Sequence, residues 1–321
     1  MGRYIIRRLV YGVITIWLVT LIVFFGLRLI VPIFYGDAIE IAVGLSGAID
    51  DKALIERRRA ELDLDKPLPV QYVSWLTDVA RGDLGRSLFN GRPVLTEIKN
   101  RLPVSLELGL VGLLSAVIIA IPFGVVAALA QDRWPDYALR VYAVGSSSVP
   151  GFWLAILIIT FASIWWRWAP SIDFAYFHDD PIKHIKIMLL PALLIGLTPS
   201  GGLVRIMRSQ MLEVLRQDYV RTARAKGLAE SVVVMRHAVR NGIIPVITII
   251  GLSLPGLIAG TPLFERIFVL PGMGNYLIAS LGDLDYPVIQ STNLIFAILI
   301  VGANLIVDIS YSLIDPRIRY S

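Results

Sequence analysis

Apolar residues in this chain fall in long runs, and charges, rather than regularly alternating polar residues, mark where the runs stop. Six charge-free windows result, between Arg8 and Arg28, Glu107 and Asp132, Arg140 and Arg167, Lys186 and Arg205, Arg240 and Glu265, and Asp285 and Asp308. Each holds 18 to 26 residues, enough at about 1.5 Å rise to cross a hydrocarbon core of about 30 Å as a helix. The lack of charge is the informative feature, because an ionised side chain at the bilayer centre costs about 2.5–3.5 kcal/mol even on insertion scales. The pattern predicts an all-α polytopic membrane protein with six transmembrane helices.

The same pattern divides the chain. Residues 1–31 hold the N-terminus and first transmembrane helix, 32–102 an extracytoplasmic segment, and 103–321 a five-helix core. The outer segment carries a charged helical stretch, "DDKALIERRRAELDLDK", then Pro67 and Pro69, then "VQYVSWLTDVA" at helical spacing, and Gly82 and Gly85 read as turns that end it. Prolines 122, 150, 191, 199, 245, 255 and 262 fall in the spans and predict kinks, which a membrane tolerates where neighbours or a lined cavity satisfy the freed carbonyls. The first window has a basic start but is too long for a signal-peptide core and lacks a small-residue cleavage site, so it reads as a retained span.

Short-loop charge sets the orientation. The loop from Arg205 to Arg240 holds eight Lys/Arg, and Arg3, Arg7, Arg8, Arg133, Arg140, Arg317 and Arg319 fall on the same side, so the positive-inside rule puts both termini in the cytoplasm. Composition agrees with the hydropathy: 56% of residues are hydrophobic and 17% charged, and mean hydropathy is +0.69. The net charge of +5 follows from retained cytoplasmic Lys/Arg, and with this hydropathy nucleic acid is not an expected partner, whereas membrane lipid is. The chain has no Cys, which excludes disulfides and thiolate metal sites.

One compact, basic insert interrupts the greasy pattern: "QDYVRTARAKGLAESVVVMRHAVRNGIIP", Gln217 to Pro245. Asp218 is an apt N-cap, the residues that follow are strong helix formers, and Gly227 supplies a left-handed stop. The predicted element is a two-turn helix of about 12 Å within residues 217–228. Tyr219 and Ala223 lie four apart, small Thr222 and Ala225 three apart, and Arg221, Arg224 and Lys226 ring the rest. Such a helix is either a basic anchor or a docking knob, small residues allowing close approach and cations meeting a partner's carboxylates.

The insert resembles the cytoplasmic-loop signature of binding-protein-dependent ABC permeases, with Arg221-Thr222-Ala223 in the place of "EAA" and Gly227 after it. "YVRTARAKGL" and "RHAVRNGIIPVIT", then "YIIRRL", "DLDKPLPVQY", "GDLGRS", Pro150-Gly151-Phe152-Trp153, "PGMGNYLIAS", "LDYPVIQ" and "DPRIRY", extend the likeness over most of the length. Together they resemble the first, or B-type, permease subunit of the dipeptide, oligopeptide and nickel importers. The chain departs from that pattern after Arg28, where "LIVPIFYGDA" replaces the usual "PGDP" context, at Asp63 in place of Gly, and at Pro262.

The resemblance implies a type I importer permease that forms half of a translocation path for di- or oligopeptides, with glutathione, nickel chelates or oligosaccharides as alternatives. It implies a second related permease, two ATPase subunits and an extracytoplasmic binding protein as partners, in the cytoplasmic (inner) membrane. Residues Asp218, Tyr219, Arg221, Thr222, Ala223, Arg224, Ala225, Lys226 and Gly227 would couple to the ATPases. ATP and Mg would sit on those ATPases: no G-x-x-x-x-G-K-[ST] occurs, so no cofactor and no enzyme activity are expected of this chain. Ser146, Ser147, Ser148 and Pro150 either line the path or satisfy helix backbone. Glu265, Pro271, Gly272 and Gly274 belong either to an outer gate or to a connecting loop with an interfacial Glu265–Arg266 bridge.

Two other classes fit less well. An ion-coupled carrier would carry protonatable residues near the midplane, and the six windows contain no Asp, Glu or His. An intramembrane enzyme would need a base beside Ser146–Ser148 or a metal cluster. The "HDDPIKH" stretch, with His178, Asp179, Asp180 and His184, has no helical register and reads as a solvated outer loop, so no catalytic or metal residues are expected.

Overall fold

A computed structural model describes residues 2–36, 55–56, 59–60 and 64–314. Most of the charged stretch 50–66, Asp63 included, and the closing "DPRIRY" with Arg317 and Arg319 lie outside the described residues. The described chain is helical, with an isolated antiparallel bridge between Arg86 and Pro93. It forms two compact units, Met1–Ser105 with Pro271–Ser321, and Leu106–Leu270.

In the first unit, α1 (Gly2–Tyr35) lies antiparallel against the last helix, here α11 (Tyr286–Ile314). Arg8 Nη1 meets Asp308 Oδ2 at 3.1 Å at one end, and Val31 packs on Tyr286 at the other. Between them the helices are so close that a Cβ on Gly12 would stand 2.7 Å from Val301 Cγ1. The short α2 (Leu68–Ala80) begins after Pro67 and packs on α1 through Tyr72. The Tyr72 hydroxyl shares a 2.8 Å hydrogen bond with Thr20, and its ring meets Phe24 edge-on at 5.2 Å.

The loop after α2 turns at Gly82, Gly85 and Gly91, with φ of +84°, +78° and +69°, as the turn reading of the first two requires. It then feeds α3 (Val94–Leu129) and is strapped to the start of α11. Ser87 Oγ donates to Asp285 Oδ2 at 2.6 Å, Leu88 N donates to Asp285 Oδ1 at 3.1 Å, and Ser291 Oγ donates to the Leu84 carbonyl at 3.0 Å. Beneath, Leu84, Val94, Ile98, Met273, Tyr276 and Val288 form a core. Asp285 thus joins "GDLGRS" to "LDYPVIQ", two motifs far apart in sequence.

The second unit is built on α6 (Pro181–Leu215), 35 residues long, with Pro191 and Pro199 inside it. At about 1.5 Å per residue it outreaches the bilayer core by about 20 Å. Against it pack α3, α4 (Trp134–Ser148), α5 (Gly151–Trp166) and α9 (Ile244–Ile267). Glycines set the distances: a Cβ on Gly196 would stand 2.4 Å from the Gly112 carbonyl, and one on Gly201 would stand 2.4 Å from the Ala143 carbonyl. Small residues at such crossings are how membrane helices gain van der Waals contact, since lipid supplies no hydrophobic drive. Met207 and Met211, fully buried, fill the core between them.

The helices allow the six spans of the sequence reading, but two of them are broken. Helices α1, α3, α6 and α11 are each long and apolar enough to cross a membrane, and two bent pairs bring the total to six if each pair is one span. One pair is α4 with α5, bent by 95° at Val149 and Pro150, inside the window read as span three. The other is α8 (Glu230–Gly242) with Ile244–Ser253 of α9, bent by 43°. Pro150 and Pro245 sit at these two breaks, at the starts of α5 and α9, where a missing N–H costs nothing. Remaining short helices are α7 (Asp218–Ala225) and α10 (Met273–Asp283).

Asp136 of α4 is fully buried and takes a bidentate pair from Arg208 of α6, Nε to Oδ1 at 2.6 Å and Nη2 to Oδ2 at 2.7 Å. Arg140 Nη2 comes within 3.3 Å but outside hydrogen-bond geometry. Arg208→Ala should lower stability toward the lower end of the about 3–5 kcal/mol for breaking a buried pair, since Arg140 remains. A double-mutant cycle with Asp136→Ala, read by thermal denaturation in detergent, should show losses well short of additive.

Burial pushes the Asp285 carboxyl up from its ordinary 3.8, against the pull of hydrogen bonds from Ser87, Leu88, Val288 and Phe89. The folded state thus disfavours ionisation: the stability tied to this proton is whole below the unfolded value and is lost as pH rises through the raised one. Asp285→Asn does not titrate, so the melting-temperature advantage of wild type over it should shrink as pH rises above about 4. Asp285→Ala should cost more, about 1–3 kcal/mol for each donor left without an acceptor.

Candidate functional site

The basic insert follows the far end of α6. Helix α7 covers Asp218–Ala225, with Gln217 rather than Asp218 at the N-cap; Asp218 is the first helical residue, where its charge suits the helix dipole. Gly227 has φ +77° and stops the helix, as its sequence position predicts. Val220 and Ala223, three apart, are buried and pack on Val233 of α8 and on Val214 and Leu215 of α6. Tyr219, Arg221, Thr222, Arg224, Ala225, Lys226 and Gly227 are exposed.

Ala223, counted above among the coupling residues, is buried: its methyl is the inner anchor of α7, and a change there tests packing. Arg224 is also committed within the chain, with Nη2 at 2.6 Å from Glu230 Oε1 and Nε at 3.1 Å from Oε2. The Glu230 hydrogen bond raises the Arg224 pKa above its ordinary value. Arg221 Nη1 reaches Asp218 Oδ1 at 3.4 Å, and Asn241 Nδ2 donates to the Tyr219 hydroxyl at 3.0 Å. The cations thus ring the knob as expected, but one is clamped to α8. Within α8, Val233–Val239 is π-helical, a widening that often marks functional segments.

Val220, Val233, Glu230 and Asn241 escaped the sequence reading. Val220 and Ala223 carried a signal, since an apolar pair three apart in a basic helix implies a covered face; Glu230 and Asn241 carried none short of the fold.

The proposed path residues are divided between the two units. Ser146, Ser147 and Ser148 end α4 just before the 95° break, and Ser147 and Ser148 donate to carbonyls one turn back, at 2.9 and 2.8 Å. Pro150 caps α5, and Gly151 behind it sits so tightly that a Cβ would stand 3.0 Å from Thr198 Oγ1 of α6 and 3.1 Å from Phe264 Cζ of α9. Glu265 is fully buried in the last turn of α9, and Arg266 beside it is exposed. Pro271, Gly272 and Gly274 belong to the other unit, at the start of α10. There Met273 N donates to Ser105 Oγ at 2.8 Å, and Arg101 stacks 4.6 Å over the Tyr276 ring.

The "HDDPIKH" stretch is only partly a solvated loop. His178 and Asp179 are exposed, but Asp180 caps α6, accepting from Lys183 N at 3.0 Å. His184, in the first turn of α6, is buried, with Nε2 2.6 Å from Glu107 Oε1 and Nδ1 2.8 Å from the Ala175 carbonyl. Its register with Glu107, across two helices, could not be read locally. Among the described residues no three His, Asp or Glu side chains gather as metal ligands.

A bundle of apolar helices, one broken within a span window, with a short, stopped, outward-facing basic helix on a long stalk, defines a multi-pass membrane transport component. The chain belongs to the family described as binding-protein-dependent transport system inner membrane component, which matches residues 120–320, with the companion N-terminal family matching residues 1–109. It is 38% identical over 320 residues, covering the full length of both chains, to a Brucella abortus protein named as a peptide transport system permease. It is likewise 38% identical over 320 residues and the full length of both chains to the glutathione transport system permease protein GsiC of Pectobacterium atrosepticum. Identity to GsiC of Escherichia coli O6:H1 is 36% over the same span. The chain is accordingly a permease subunit of the ABC-importer type.

The two faces of α7 give separable variants. Ala225→Glu, on the exposed face, should leave the melting temperature unchanged and abolish nucleotide-dependent transport, while Ala223→Glu should lower the melting temperature by burying a charge among valines. Thermal denaturation and transport measured on the same preparations distinguish them.

Proposed function

We propose that this chain is one of two related permeases in an ATP-driven importer of di- or oligopeptides, glutathione included. An extracytoplasmic binding protein would deliver the substrate, and two partner ATPases would supply the energy. The protein would lie in the cytoplasmic membrane with both termini inside, the side to which the short-loop Lys/Arg point. The observation that carries the reading is α7: a basic helix of eight residues, anchored from behind by Val220 and Ala223 and exposed in front. A helix so held moves with α6 and α8, so contact with a closing ATPase reaches the spans mechanically.

ATP binding would close the ATPases, and α7, seated in a groove on one of them, would carry that motion into α6. Rearrangement there would switch access from one side of the membrane to the other. The broken α4–α5 pair and the serines beside it would lie along the path, since non-helical backbone at membrane depth is tolerated where it is buried in protein or lines a cavity. The peptide assignment draws on the relatives named for peptide and for glutathione transport; nickel chelates and oligosaccharides remain the less supported alternatives.

The test is affinity purification of the tagged chain in mild detergent, followed by reconstitution with the co-purified subunits. The expected result is a second six-span permease, a pair of ATPases with vanadate-sensitive hydrolysis, and uptake of labelled dipeptide or glutathione that requires ATP inside and binding protein outside. A chain that purifies as a homo-oligomer without ATPase, or takes up peptide on an ion gradient alone, would refute it.

A further inference from the structure

The first unit holds a cleft of about 440 Å³ among α1, α2, the loop after α2 and the start of α11. Its volume is in the range of small-ligand sites. Arg28, Trp75 and Gln290 contribute to its wall, and exposed Asp78, Asp83 and Arg86 complete it toward solvent. Three buried donors in that wall have no acceptor among the described residues: Arg28 Nη1, Trp75 Nε1 and Gln290 Nε2. Gln290 is only 3% exposed. Buried donors are paired in native proteins with few exceptions, so three unpaired around one cleft call for an acceptor.

Arg28 is held for this task. Its Nε donates to Gln71 Oε1 at 2.6 Å, and Gln71 in turn donates from Nε2 to the Leu64 and Lys66 carbonyls at 3.2 and 2.8 Å. The guanidinium lies 4.0 Å over the Phe24 ring. Orientation is fixed on one edge, and Nη1 stays available on the other. No carboxylate pairs with it among the described residues, and a guanidinium held among aromatic rings favours an anion. Asp78 and Asp83 add the opposite character at the mouth, Asp83 being oriented by Gly85 N, which donates to its Oδ1 at 2.8 Å.

We propose that this cleft binds a small zwitterion, a short peptide whose carboxylate takes the Arg28, Trp75 and Gln290 donors and whose ammonium meets Asp78 and Asp83. An extended dipeptide is about 7 Å long, short enough for the cleft. The peptide character rests on the importer reading above; the cleft and its donors do not. On that reading the site lies on the outer face, so it holds peptide on this subunit before or after release from the binding protein.

The experiment uses the purified importer in phosphatidylcholine nanodiscs, without nucleotide or binding protein, and equilibrium dialysis of labelled Ala-Ala against its C-terminal amide and its N-acetyl form. Saturable Ala-Ala binding is expected, with each blocked form about tenfold weaker. Trp75→Phe, which keeps the ring and removes the donor, should weaken Ala-Ala about tenfold, as should Gln290→Leu. Asp78→Asn with Asp83→Asn should weaken Ala-Ala but leave the N-acetyl form unaffected. Equal binding of the amide, wild-type binding by Trp75→Phe, or a tightly held phospholipid in place of Ala-Ala would each overturn the proposal. ATPase activity on the same preparation separates the two claims: an assembly that hydrolyses ATP without binding Ala-Ala refutes the cleft alone, and a chain that binds Ala-Ala in the cleft without an ATPase partner refutes the importer reading alone.

Discussion

The Gly196–Gly112 crossing, where a Cβ would stand 2.4 Å from a backbone carbonyl, sets how closely α3 can lie against α6. Backbone contact of this kind is available only where both surfaces are small, and in a bilayer it is a main source of attraction between apolar helices. Gly201 repeats it against α4, and Gly124 sits against Met207 with a Cβ distance of 2.5 Å. Because α6 meets its neighbours through glycines along much of its length, it becomes the axis of its unit. The 95° break before α5 is then seated against Thr198, and the far end of α6 becomes the stalk for α7.

Polar groups tie each unit where apolar contact cannot specify position. Asp285 gathers the Ser87 hydroxyl and the Leu88 amide, Arg101 covers Tyr276, and Asp136 holds Arg208. Away from water such groups are costly unless paired, so each pair selects one register between elements that could otherwise slide. The cleft beside Arg28 is where that satisfaction is incomplete, and incomplete pairing in a well-tied unit is a natural place for a ligand.

Helix α7 combines two demands that oppose each other. It has to be exposed and chemically generic enough to meet another protein, and it has to be attached firmly enough to transmit force. The chain separates them by face. Val220 and Ala223 bury against α6 and α8, Arg224 is clasped by Glu230, and small Thr222 and Ala225 remain outside with Lys226 and Gly227.

The sequence by itself determined the helical, membrane-spanning class, the approximate positions of the spans, and the short helix ending at Gly227. All three depend on local quantities: charge-free length, helix propensity and a left-handed stop. What only the tertiary structure decided was which faces are covered and which distant groups meet. Ala223 appeared free because its cover comes from Val233 and Leu215; His184 appeared solvated because Glu107 approaches from another helix; span three appeared continuous because hydropathy does not register a 95° turn at Val149 and Pro150. Side-chain period reveals that a helix has two faces, but the partner of each face is set by packing between segments far apart in the chain, where no local pattern carries the information.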